Sequence, residues 1–144
     1  TGNETEFFMS AWRPGRYEEG NFTRLVTHVQ VFDDLSQRRM VEKTGKNSWR
    51  VETSGAKNIT ISYLYMGKDL NAGSTFFDEN ILLINPVNSL IYTNENVGSI
   101  CLNLETPWKK FGIASAASDV VYFENFDQFL HQPELFENRF VKVK

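Results

Sequence analysis

Ser48-Trp49-Arg50-Val51-Glu52 and, five residues later, Asn58-Ile59-Thr60-Ile61-Ser62-Tyr63-Leu64-Tyr65 decide the fold class. Successive side chains of a β-strand point to opposite faces. Trp49 and Val51 therefore turn inward while Arg50 and Glu52 turn outward. In the second stretch Ile59, Ile61, Tyr63 and Tyr65 share one face. The link from Thr53 to Lys57 is hairpin-sized and contains Gly55, so the two strands are expected to pair antiparallel.

The rest of the chain repeats this texture. Short strands are expected at Glu6–Ala11, Leu25–Phe32, Arg39–Lys43, Ile81–Ile84, Leu90–Thr93, Ser99–Leu104, Gly112–Ala114 and Val120–Phe123. Turn chemistry separates them: Pro14-Gly15, Asp33-Asp34, Thr44-Gly45-Lys46-Asn47, Asn85-Pro86-Val87-Asn88 and Thr106-Pro107. Phe126–Leu130 alone offers a helical turn, with Glu124-Asn125 placed to cap it. Many short, closely spaced strands predict an all-β protein, an antiparallel β-sandwich with at most one or two short helical turns. The sandwich domain is expected to span residues 1–135, with 136–144 starting the connection to a further domain.

A chain of 144 residues is one domain's worth, and 41% hydrophobic residues, 12 Phe and 3 Trp among them, supply a core. A net charge of −3 argues against nucleic acid or an anionic membrane as partner. The doublets Arg38-Arg39 and Lys109-Lys110 read as solvated faces. Cys101, the single cysteine, forms no internal disulfide, and its apolar neighbours Ile100 and Leu102 predict a buried thiol. No apolar run reaches the roughly 18 residues of a membrane span. The polar start, Thr1-Gly2-Asn3, resembles no signal peptide and lacks an initiator Met, so the chain is expected to be a piece of a longer polypeptide. Compartment is not legible.

Catalytic chemistry is hard to assemble from these residues. His28 and His131 are the only imidazoles and show no metal-ligand spacing. His28 alternates with Val26, Gln30 and Phe32, which predicts a cross-strand or surface position. The adjacent carboxylates Asp33-Asp34 and Asp78-Glu79 fall at expected turns, whereas glycosidase dyads come from separate elements. Catalytic and metal residues are therefore expected to be none in this chain, and it is expected to hold no cofactor.

The stretch Trp12-Arg13-Pro14-Gly15-Arg16-Tyr17 carries more information. Pro14 fixes φ and Gly15 admits positive φ, so the chain reverses sharply after the first strand. Trp12 is expected to be a buried corner pillar. Arg13 and Arg16 beside aromatic rings also suit carboxylate or peptide recognition. Together with Asn47-Ser48-Trp49-Arg50-Val51 and the strand ending at Tyr65, this corner resembles the amino-terminal domain of the glycyl aminopeptidase family of metallopeptidases. Members typically read W-T-P-G-S-Y at this corner, then a W-x-V strand. Phe126-Asp127-Gln128-Phe129-Leu130-His131-Gln132-Pro133 is similar to the Y-D-E-L-V-D-S-P segment that closes that domain, with His131-Gln132 where Asp-Ser is usual.

The resemblance covers roughly Phe7 to Pro133. It implies a non-catalytic β-domain followed by a thermolysin-like catalytic domain and a PDZ domain. Residues 136–144 would then begin the connection to the missing catalytic domain. Zinc is expected in that absent domain, on a H-E-x-x-H helix. The implied partners are the catalytic domain of the same polypeptide and, for the parent protein, a peptide substrate. Arg13, Arg16 and Tyr17 become candidates for ligand or interdomain contacts along the cleft, and Phe126, Phe129 and Leu130 for the interdomain face. Without its partner the piece is expected to self-associate weakly through its apolar C-terminal region, including Phe129 and Phe136. The alternative reading is a free-standing β-sandwich binding module for carbohydrate or another ligand, suggested by 14% aromatic residues.

Overall fold

The structure, a computed structural model, describes residues 4–12, 18–70, 73–93, 99–103, 105, 109–111, 120–124 and 134–137. Strands dominate: β1 (Glu4–Met9), β2 (Val26–Asp33), β3 (Arg38–Arg39), β4 (Val41–Lys43), β5 (Ser48–Glu52), β6 (Ile59–Tyr65) and β7 (Phe76–Phe77). They continue as β8 (Ile81–Ile84), β9 (Ile91–Thr93), β10 (Ile100–Asn103), β11 (Lys109–Phe111), β12 (Val120–Phe123) and β13 (Glu134–Glu137). Every strand pair is antiparallel. The protein is all-β. Helix among the described residues is limited to a 3-10 turn at Phe22–Leu25 and one helical turn at Pro86–Ser89. The latter replaces an expected plain turn. Pro86 sits at the first helical position and Asn85 Oδ1 accepts the Val87 N–H at 3.3 Å. The helical turn expected at Phe126–Leu130 and the strand expected at Gly112–Ala114 lie outside the described residues. No helix among the described residues is long and apolar enough to cross a membrane.

The chain forms two compact units, Thr1–Met66 with Asn88–Glu95, and Gly67–Val87 with Asn96–Lys144. The first unit holds two sheets, ordered β4-β5-β1-β9 and β3-β2-β6. Met9, Phe22 and Trp49 form its core, with Val26, Val29, Val41, Tyr63, Tyr65 and Ile91 packed against them. These residues come from both sheets, which is the β-sandwich arrangement. Trp49 and Val51 are buried and Arg50 and Glu52 exposed, as the alternation predicts.

The expected hairpin between Ser48–Glu52 and Ile59–Tyr65 does not form. β5 pairs with β1 and β4, and β6 pairs with β2. Gly55 does make the turn, with φ of 70° and an Ala56 N–H donated to Thr53 O at 3.1 Å. The turn carries the chain from one sheet to the other. A hairpin would place Trp49 and Tyr63 on one sheet; the crossover puts them on two sheets that share one core. The hairpin is made instead by β4 and β5 around Thr44-Gly45-Lys46-Asn47, with Thr44 N–H donated to Ser48 O at 3.1 Å.

Three further expectations are corrected. The strand expected at Arg39–Lys43 breaks at Met40, which separates β3 in one sheet from β4 in the other. The alternation expected through Val26, His28, Gln30 and Phe32 breaks at Val26, which packs on the core, while His28 keeps the expected surface position. A bulge between Thr27 and Gln30 gives β2 one extra residue, and His28 occupies it with φ of 55° and an exposed side chain. The inward face therefore passes from Val26 to Val29, Val31 and Asp33. Cys101 is exposed rather than buried. In β10 it lies opposite exposed Tyr122, while Ile100 lies opposite buried Phe123. Strand parity overrides the apolar neighbours.

Tyr63 fastens β6 to the chain entering β9. Its hydroxyl donates to Ser89 O at 2.8 Å and accepts the Ile91 N–H at 3.3 Å. Burial pushes its phenol above the usual tyrosine range, with the Ile91 N–H opposing that rise. Tyr63→Phe keeps the ring but strands both backbone groups, so unfolding free energy is expected to fall by about 1–3 kcal/mol. Chemical denaturation checks this.

In the second unit the sheets are ordered β11-β13-β8-β7 and β10-β12. β7, β11 and β13 were not expected from sequence; β11 takes up Lys109-Lys110, read as a solvated doublet, and β13 runs across residue 135 and pairs with both β8 and β11. Asp78 closes the β7–β8 hairpin, its Oδ1 accepting the N–H groups of Asn80 and Ile81 at 2.7 and 2.9 Å. Gly67 approaches this hairpin so closely that a Cβ would stand 2.9 Å from Thr75 O.

Candidate functional site

The corner after β1 is anchored at a narrow neck. Ser10 Oγ donates to Trp12 O and accepts the Trp12 N–H. Gly20 N–H then donates to Ala11 O at 2.6 Å, closing the loop between them. A side chain at Gly20 has no room, since its Cβ would stand 2.4 Å from the ring of Phe22, itself a core residue. Thr23 ties the neck to the β4–β5 turn by donating to Lys46 O at 2.8 Å.

Trp12 is not the expected buried pillar: it is 56% exposed. The neck holds its backbone, so the indole is not needed to turn the chain. Arg13, Pro14, Gly15, Arg16 and Tyr17 lie outside the described residues, as do Phe126, Phe129, Leu130 and His131.

A polar constellation that the sequence reading missed lies at the β2–β3 turn. Asp33 is buried, and its Oδ1 accepts the N–H groups of Leu35 and Gln37 at 2.9 and 2.8 Å. Its Oδ2 accepts Arg39 Nε at 2.9 Å and Nη2 at 2.8 Å. Arg39 Nη1 reaches Glu52 on β5 at 3.6 Å. The reading of Asp33 and Arg39 as solvated turn and solvated doublet is therefore corrected. Arg38 does face solvent. The available signal was an Asp two and four residues before turn N–H groups, the spacing of an Asx turn.

Chemically this is a strut. The hydrogen bond from Gln37, with those from Arg39 and Leu35, outweighs burial and holds the Asp33 carboxyl below its ordinary range. A carboxylate with four donors and a lowered pKa is poorly placed to act as a general acid. Asp34 behaves similarly, held low chiefly by the Lys57 N–H, which it accepts at 2.9 Å. The pH dependence has a definite sign. Because the folded pKa of Asp33 lies below the ordinary 3.8, its contribution is present above that value and lost as pH falls through the folded pKa. Asp33→Asn is expected to be less stable than the parent at neutral pH, with the difference closing in acid; denaturant titrations across pH check it.

Among the described residues no three His, Cys, Asp or Glu side chains group as a metal site. Trp49 is buried, and Tyr63 and Tyr65 are half-buried against the core. They do not form the exposed aromatic row that a carbohydrate-binding surface needs.

An antiparallel β-sandwich with a charge strut between its sheets defines the class: an all-β domain. Residues 1–137 match the family model described as the Peptidase M61 N-terminal domain, and the chain belongs to that family. The fold is shared with the crystal structure of an aminopeptidase N family protein from Idiomarina loihiensis, at TM-score 0.82 and 17% identity. The match covers 96% of this chain and 25% of that one, so the chain spans a quarter of its neighbour's length. Comparison with curated proteins gave no match.

Proposed function

We propose that this chain is the non-catalytic N-terminal β-domain of a zinc-dependent aminopeptidase, that it packs on the catalytic domain, and that it walls one side of the substrate cleft. The observation that carries the reading is the family match over residues 1–137. The described residues offer no cluster of three zinc ligands, and His28 on the β2 bulge has Thr27 Oγ1 3.1 Å from its Nδ1. The metal and the H-E-x-x-H helix, with a PDZ domain beyond, are assigned to the remainder of the parent protein. Phe126, Phe129 and Leu130 are assigned to the interdomain face. Arg13, Arg16 and Tyr17, which follow exposed Trp12 in the sequence, are assigned to the cleft side and to the peptide substrate.

The experiment divides the parent protein at residue 137. Zinc content and hydrolysis of aminoacyl substrates are measured on the full-length protein, on residues 1–137 and on the remainder. Zinc is expected to stay with the remainder, and the first piece is expected to hydrolyse nothing. Stoichiometric zinc or peptidase activity in residues 1–137 would overturn the assignment. An Arg13→Ala, Arg16→Ala double variant of the full-length protein then checks the cleft role. A raised KM is expected, and unchanged kinetics would remove the arginines from it.

A further inference from the structure

We draw no further inference here: the strongest candidate, the acidic outer face of the β4-β5-β1-β9 sheet where Glu4, Glu6, Glu42 and Glu52 stand around Arg50, carries nothing, because those carboxylates already have partners in Arg50, Arg39 and Thr44 and nothing in the structure shows what covers the face.

Discussion

Trp49→Ala is expected to lower the unfolding free energy by about 3–5 kcal/mol, enough to unfold a domain of ordinary stability. The indole is 5% exposed and sits with Met9 and Phe22 at the centre of the first unit. The cluster is flanked by residues of both sheets, Val41 on one and Val29 and Tyr63 on the other. Removing the indole therefore opens a hole between two layers, and two hydrogen-bonded sheets cannot collapse into the hole without breaking register. Lys43, whose Nζ lies 5.2 Å from the ring centroid, covers the indole and would lose its support. Urea or guanidinium denaturation followed by circular dichroism measures the loss. Trp12→Ala is the internal comparison: the same deletion at a site 56% exposed is expected to cost far less. A cost at position 49 below about 1 kcal/mol would mean that the indole is not buried, and would revive the binding-module reading.

Phe123→Ala is the second large effect, again about 3–5 kcal/mol, and it probes the other unit. Phe123 is 2% exposed and lies opposite Ile100 in the β10–β12 pair. Its neighbour Tyr122 is 74% exposed and lies opposite Cys101. Adjacent residues of one strand thus face opposite ways, and Tyr122→Ala is expected to change stability by no more than about 0.5 kcal/mol. The contrast also tests the placement of Cys101. A thiol on the exposed face should react with a water-soluble alkylating reagent in the folded protein, whereas a buried one would react only on unfolding. Equal costs at 122 and 123, or a protected Cys101, would mean that the register of this pair is shifted by one residue.

Much of the first unit was legible from side-chain alternation. Burial at Trp49 and Val51, and the shared face of Ile59, Ile61, Tyr63 and Tyr65, follow from a period of two alone, which needs no knowledge of partners. The turn residues marked where strands stop, and Trp12 to Tyr17 with the Trp49 strand carried the resemblance that the family match bears out. Pairing was not legible. Nothing local in Thr53–Lys57 says whether a turn returns along the same sheet or crosses to another; that choice rests on which arrangement lets Trp49 and Tyr63, from different sheets, contribute to one core. The bulge left a faint trace, since Val26, Val29 and Val31 break strict alternation by one residue, and only the ladder to Tyr65 and Ser62 places the extra residue at His28.

The loop corner divides in the same way. Its turn chemistry is written in Pro14 and Gly15, but whether Trp12 is a pillar or a surface group depends on the Gly20–Ala11 neck, formed by residues on either side of it. Asp33 and Arg39 are a matching case. As letters in a row they are an acidic pair and a basic doublet, each ordinary on a surface. Folding turns one member of each inward because the Asx turn aims the Asp33 carboxylate at the β3 strand, and the guanidinium is the partner that removes the cost of burying it. Strand class, inward faces and family were thus readable along the chain, since all three depend on short-range periodicity and local turn preference. Which strands pair, where the register slips and which charges are buried emerged only on folding, because each depends on contacts between residues far apart in sequence.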